Sequence, residues 1–203
     1  PVDIAYYLNA HARLDVRNDM LFNVFAREVA RKAHNFTPRQ LAEVIFSYAA
    51  LGYRHAALFD VLRKQVSQKC QDMEPWHMAL VANGFARLQL TDMRLFALLA
   101  TEICRKIMDF PAKPLALVAN SYARLEVHNR FLLEVLGDEV FRKRAEFGNP
   151  QSMALILNSY ARLGVPSPVL FDYFAQEAAR KIRQFDLQSI CVLVSAYSRT
   201  NSP

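Results

Sequence analysis

Glycine is scarce in this 203-residue chain, five in all, and cysteine scarcer still, at three. With so little glycine and no low-complexity tract, a collagen-like or flexible-linker chain is excluded. Cys70, Cys104 and Cys191 are odd in number and scattered, which argues against a disulfide framework and fits a reducing compartment. The apolar runs are short and broken by Asn, Arg or Lys, so nothing spans a bilayer and no membrane partner is expected. No signal peptide is visible. The chain begins at Pro1 without an initiator Met, which leaves room for a removed targeting segment. Catalytic signatures are missing too: HExxH, the phosphate-binding GxxxxGKS/T, GxGxxG and GxSxG are all absent. His11, His34, His55, His77 and His128 are dispersed, and no Cys/His set has zinc spacing. The expectation is a non-enzyme without catalytic residues, metal, cofactor or small-molecule substrate.

What the chain has is repetition. Asn120-Ser121-Tyr122-Ala123-Arg124-Leu125 recurs at 158–163 and, as Asn83-Gly84-Phe85-Ala86-Arg87-Leu88, at 83–88. Looser copies stand at 9–14, 46–51 and 195–200. The closing positions 14, 51, 88, 125, 163 and 200 are separated by 37, 37, 37, 38 and 37 residues. A fixed period of this length marks a stacked helical repeat. The predicted fold is all-α: a right-handed α-solenoid of about five and a half 37-residue helix-turn-helix repeats. It forms a single array over 1–203, with units at about 2–36, 37–73, 74–110, 111–147, 148–185 and 186–203.

Each unit reads as two helices. Thr37-Pro38, Glu74-Pro75 and Asn149-Pro150 are start signals, and Asp186 caps the last unit. First helices are predicted over 38–51, 75–88, 112–125, 150–163 and 187–199, with a truncated copy at 3–14. Gly52 and Gly164 suit helix ends. Asn18, Asp92, Asn129 and Ser167 are candidate caps of second helices over about 18–34, 55–71, 92–108, 129–145 and 168–184. Eleven helices result. The one 38-residue step fits an extra Gly148 in a surface loop.

On the first helix, Leu115, Val118 and Tyr122, like Met153, Ile156 and Tyr160, form an amphipathic core stripe. The recurring Tyr/Phe at 48, 85, 122, 160 and 197 lie on that stripe and are read as packing residues rather than base-stacking ones. Small residues nine and two before the closing position permit close helix approach. The polar exception lies five and one back, an i, i+4 row: Asn9/Arg13, Asn83/Arg87, Asn120/Arg124, Asn158/Arg162 and Ser195/Arg199, with Phe46/Ala50 as a gap. Stacked units would line these into a ladder of five arginines. No acidic residue recurs in the row, and the whole chain carries +6. A strand of RNA is the natural counter-charge, Arg meeting phosphates and Asn base edges. The competing reading is structural: Arg in a last helical turn compensates the dipole and bonds free carbonyls, and ladder asparagines can bridge neighbouring units. On the second helix, Lys32, Lys69, Lys106, Lys143 and Lys181 recur, four of them behind a Glu at i−4, and read as a solvated outer face. Arg31, Arg105, Arg142 and Arg180 beside them are less clearly paired.

The array opens within a first helix and closes after one, without the polar outer face of capping repeats. Tyr6, Tyr7 and Leu8 at one end, and Ile190, Val192, Leu193 and Val194 at the other, are expected to leave apolar surface for flanking sequence or docked proteins.

A 37-residue helical pair with NSYARL, then LF, then ExxRKxxxF resembles the heptatricopeptide and octotricopeptide repeats of organellar RNA-binding proteins. It is also similar to the repeats preceding the RAP domain in protists and to the FAST-kinase-like proteins of mitochondria. The resemblance covers nearly all of 2–200. It implies an α-solenoid whose first helices line a concave RNA groove, with roles in organellar RNA processing, stability, translation and ribosomal RNA assembly. Carried over by position, the groove would hold the Asn/Arg rungs. Two departures stand out: no RAP domain follows residue 200, and the second unit predicts a skipped contact. The expected function is a non-enzymatic RNA-binding protein of the mitochondrial matrix, or of another organelle or the cytoplasm. It would bind RNA, single-stranded or ribosomal, in a mitoribosome or an RNA-processing and stability complex. The alternative is a protein scaffold binding an acidic helix or tail.

Overall fold

A computed structural model describes residues 2–200. Among them the chain is helical, with eleven α-helices and no strand. The first helices of the repeats are α1 (Val2–Arg13), α3 (Pro38–Ala50), α5 (Pro75–Arg87), α7 (Ala112–Arg124), α9 (Pro150–Arg162) and α11 (Leu187–Thr200). The second helices are α2 (Asp19–Lys32), α4 (Ala56–Lys69), α6 (Met93–Arg105), α8 (Arg130–Arg142) and α10 (Pro168–Lys181). This is α-solenoid architecture, as the period predicts. Residues 201–203 of the expected last unit lie outside the described residues.

Each second helix is followed by a 3₁₀ turn that the sequence reading did not separate, from Ala33–Asn35 through Ile182–Gln184. The turn tightens the chain and buries the residue after it: Phe36, Met73, Phe110, Phe147 and Phe185 are all in the core. The extra residue of the 38-residue step is absorbed here. Phe147 has ψ 41° where Phe36, Met73 and Phe185 are extended, and α9 still starts at its Pro.

Local start and stop signals explain the boundaries. Thr37 accepts from Gln40 N–H, and the Gln40 side chain accepts from Thr37 N–H, a reciprocal capping box. Asn18, Asp92, Asn129, Asn149 and Asp186 accept from backbone N–H groups two or three residues on. Ser167 does not cap: its side chain makes no such bond, and Pro168 alone sets the start of α10. His55, whose ring is not a usual cap, accepts from Leu58 N–H in front of α4. First helices end in a left-handed residue after the closing position, at Asp15, Gly52, Gln89, Glu126 and Gly164. The amide two residues past that closing position then reaches back five residues, as Tyr53 N–H does to Tyr48 and Leu90 N–H to Phe85.

The chain divides into two compact units, 1–103 and 104–203, with the boundary inside α6. In the first unit α3 packs between α1 and α5; in the second, α9 packs between α7 and α11. Small residues allow this closeness. Gly84 of α5 faces Ile45 of α3 so tightly that a methyl there would overlap it, and the buried Ser47, Ser121 and Ser159 take the same register position. The core stripe is as predicted, with Leu115, Val118, Tyr122, Met153, Ile156 and Tyr160 buried. At the ends the expectation holds in part. Tyr6, Tyr7 and Val194 are exposed, whereas Leu8 and Leu193 are buried because α1 packs on α3 and α11 on α9.

Candidate nucleic-acid interface

The predicted rungs occupy the last turns of the first helices. Arg13, Arg87, Arg124, Arg162 and Arg199 are all exposed, while Asn9, Asn120 and Asn158 are half-buried and Asn83 is buried. In the first unit the row runs over α1, α3 and α5, with half-buried Phe46 and Ala50 in the gap. In the second unit it runs over α7, α9 and α11. Two rungs reach back one repeat. Arg87 Nη2 donates to the Ala50 carbonyl, the last of α3, at 3.4 Å, and Arg162 Nη2 stands 4.0 Å from Glu126 Oε1 in the link after α7. Among the described residues, Arg13, Arg124 and Arg199 have no hydrogen bond or ion pair. A single long bond leaves most of the five Arg87 N–H donors for a ligand, so the structural role and the binding role coexist at that rung.

The recurring tyrosines are packing residues with an added bond. Tyr48 donates to the Phe22 carbonyl at 2.7 Å, Tyr160 to Leu133 and Tyr197 to Phe171 at 2.6 Å. Each bond ties a first helix to the opening turn of the preceding second helix. Burial pushes the Tyr197 phenol up to about 12 and lifts Tyr48 and Tyr160 further, so all three stay protonated donors.

The Glu–Lys pairs expected on the second helices form at Glu28/Lys32, Glu139/Lys143 and Glu177/Lys181, and the solvated reading is corrected at two of the lysines. Lys69 Nζ donates to the His34 and Phe36 carbonyls at 2.8 and 2.6 Å, and Lys143 Nζ to those of Met108 and Phe110 at 2.8 and 2.7 Å. These lysines clamp the 3₁₀ turn of the repeat before. The arginines beside them are paired as well. Arg31 and Lys32 share Glu28, Arg142 and Lys143 share Glu139, and Arg180 and Lys181 share Glu177. Hydrogen bonds first from Arg31 and then Lys32 lower Glu28 to about 2, and the same arrangement, led by Arg142, lowers buried Glu139. This row is neutralised internally, unlike the rungs.

Two residues missed by the ladder reading share its row. Trp76 stands eleven residues before Arg87 and seven before Asn83, and Tyr6 stands three before Asn9; both are exposed. Their signal was in the sequence, since Trp76 is the chain's one tryptophan and falls on the i, i+4, i+7, i+11 line of α5.

A basic row beside exposed aromatics fits a polyanion, and comparison with known proteins points the same way. The family described as RNA-editing substrate-binding complex 6 protein matches residues 2–201. The chain belongs to this family. Family membership ties it to an RNA-editing complex with RNA and protein components, and RNA-editing complexes in kinetoplastids are mitochondrial. No curated protein matches the chain.

Proposed function

We propose that the chain is a binding protein rather than an enzyme. It holds single-stranded editing-substrate RNA within a protein complex of the mitochondrial matrix, using the Asn/Arg rungs. One observation carries this: five arginines at one register position are exposed, and among the described residues only Arg162 of the five has a carboxylate partner, at 4.0 Å. Like charges so placed repel unless an anion lies along them, and phosphates of a single strand supply it. The family favours an editing complex over the mitoribosome as the setting. We further propose that the repeats are of the heptatricopeptide and octotricopeptide type, which the 37-residue step and the NSYARL signature support.

The test is a salt titration of binding to a single-stranded RNA oligonucleotide. Five phosphate contacts give a slope of log K against log salt of about −3 to −4, at roughly 0.7 per phosphate. Replacing Arg87, Arg124 and Arg162 together with Gln abolishes binding while the far-ultraviolet circular dichroism is kept. Undiminished affinity in that variant removes the rungs from the function, and a slope near zero with an acidic peptide bound instead supports the scaffold alternative.

A further inference from the structure

Equivalent clefts lie where the link of one repeat meets the second helix of the repeat before it, and they are filled to different extents. At the junction of the first two repeats the chain fills its own cleft. Tyr53 stacks on Phe22 with ring centroids 4.4 Å apart, its hydroxyl donates to Asp19 at 2.6 Å, and Arg17 lies 4.9 Å over its ring. About 80 Å³ remains open there. One repeat on, Phe59 keeps the first ring but Leu90 replaces the second. The cleft opens to about 400 Å³, with Arg63 in it paired to Asp92 at 3.1 Å. Between the fourth and fifth repeats Leu133 and Val165 replace both rings, and about 600 Å³ is open. That volume suits a drug-sized or side-chain ligand. Gly137 helps keep it clear, since a methyl there would come within 3.0 Å of the Tyr160 hydroxyl.

We infer that the cleft between the fourth and fifth repeats binds an aromatic side chain of a partner protein, flanked by a basic residue. Its walls are the apolar Leu133, Val165, Leu170 and the Phe141 ring, with exposed Val169 among them. The chain's own Tyr53, held between a ring and a guanidinium, shows the kind of group this junction accommodates. The charged groups in the lining are both acidic: Glu134, held by Arg130 at 2.7 Å, and exposed Asp138, which has no ion pair among the described residues. Carboxylates disfavour a phosphate backbone and favour a cationic flank, so the site calls for a peptide rather than RNA. None of the Asn/Arg rungs lines it, and it stands whether or not they bind RNA.

Titration of the full chain with an acetylated Arg-Phe-Arg tripeptide amide, followed by the methyl resonances of Leu133, Val165 and Leu170, tests the assignment. Saturable shifts confined to that cluster are expected. The double variant Leu133→Phe with Val165→Tyr refills the cleft with its own rings and weakens peptide binding by about tenfold or more, while RNA affinity is unchanged. Asp138→Lys, an exposed substitution that leaves the core alone, weakens the same peptide and spares an Ala-Phe-Ala control. Absence of saturation, equal binding to the refilled variant, or displacement of the peptide by a uridine oligonucleotide would overturn the proposal.

Discussion

A tyrosine that is read from its spacing as core can still carry a polar task. Tyr160 fills the core, and its hydroxyl gives Leu133, 27 residues back, a second hydrogen bond. The position tolerates a ring without a hydroxyl, since Phe85 stands there and packs edge-on against Phe59 at 5.4 Å. Tyr160→Phe therefore keeps the packing and loses about 1 kcal/mol, the net worth of one buried hydrogen bond. A urea midpoint that falls at unchanged slope would show it. The periodicity revealed the apolar side of this residue because an amphipathic stripe repeats locally. The partner carbonyl could not be read, being set by how one repeat lies on another. Trp76 differs: a single aromatic produces no periodic signal, so only its place on the line of Asn83 and Arg87 along α5 marks it.

At the scale of the helix, the Glu, Arg and Lys of the second helices act as a group. Lys143 neutralises Glu139 and also satisfies two carbonyls of the preceding 3₁₀ turn, a use of lysine that joins neighbouring repeats. In the second repeat Gln65 and Gln68 take the places of Glu and Arg and bond each other at 3.1 Å, while Lys69 keeps its clamp. The pairing predicts a pH response. Glu28 has its folded pKa lowered from 4.5 to about 2. Its contribution is present above 4.5, where the unfolded carboxyl is also ionised, and is lost as pH falls through 4.5 toward 2. Melting temperature measured across that window should drop less steeply in Glu28→Gln than in the parent, and parallel curves would show that the pair contributes nothing.

For the molecule as a whole, the basic rungs are spread over both compact units, two in the first and three in the second, with the second repeat silent. That silence gives a gain-of-function prediction. Ala50 ends α3 half-exposed in the rung register, so Ala50→Arg adds a guanidinium where the row lacks one. Under the proposed function it steepens the salt dependence of RNA binding by about 0.7 and raises affinity at low salt. An unchanged slope would mean that the row is not followed by the backbone of the RNA.

Sequence alone determined the all-helical repeat, its 37-residue step, most helix starts and the register of the rungs, because capping residues, amphipathic periods and fixed spacings are local chemistry repeated six times. Tertiary structure decided which polar groups are spent inside the fold. Lys69 and Lys143 are tied to carbonyls about 35 residues away, Arg142 to a Glu it shares with Lys143, and the rung arginines remain largely in solvent. The openness of each cleft was settled in the same way, by a ring or its absence on two segments that meet only when one repeat packs on the next.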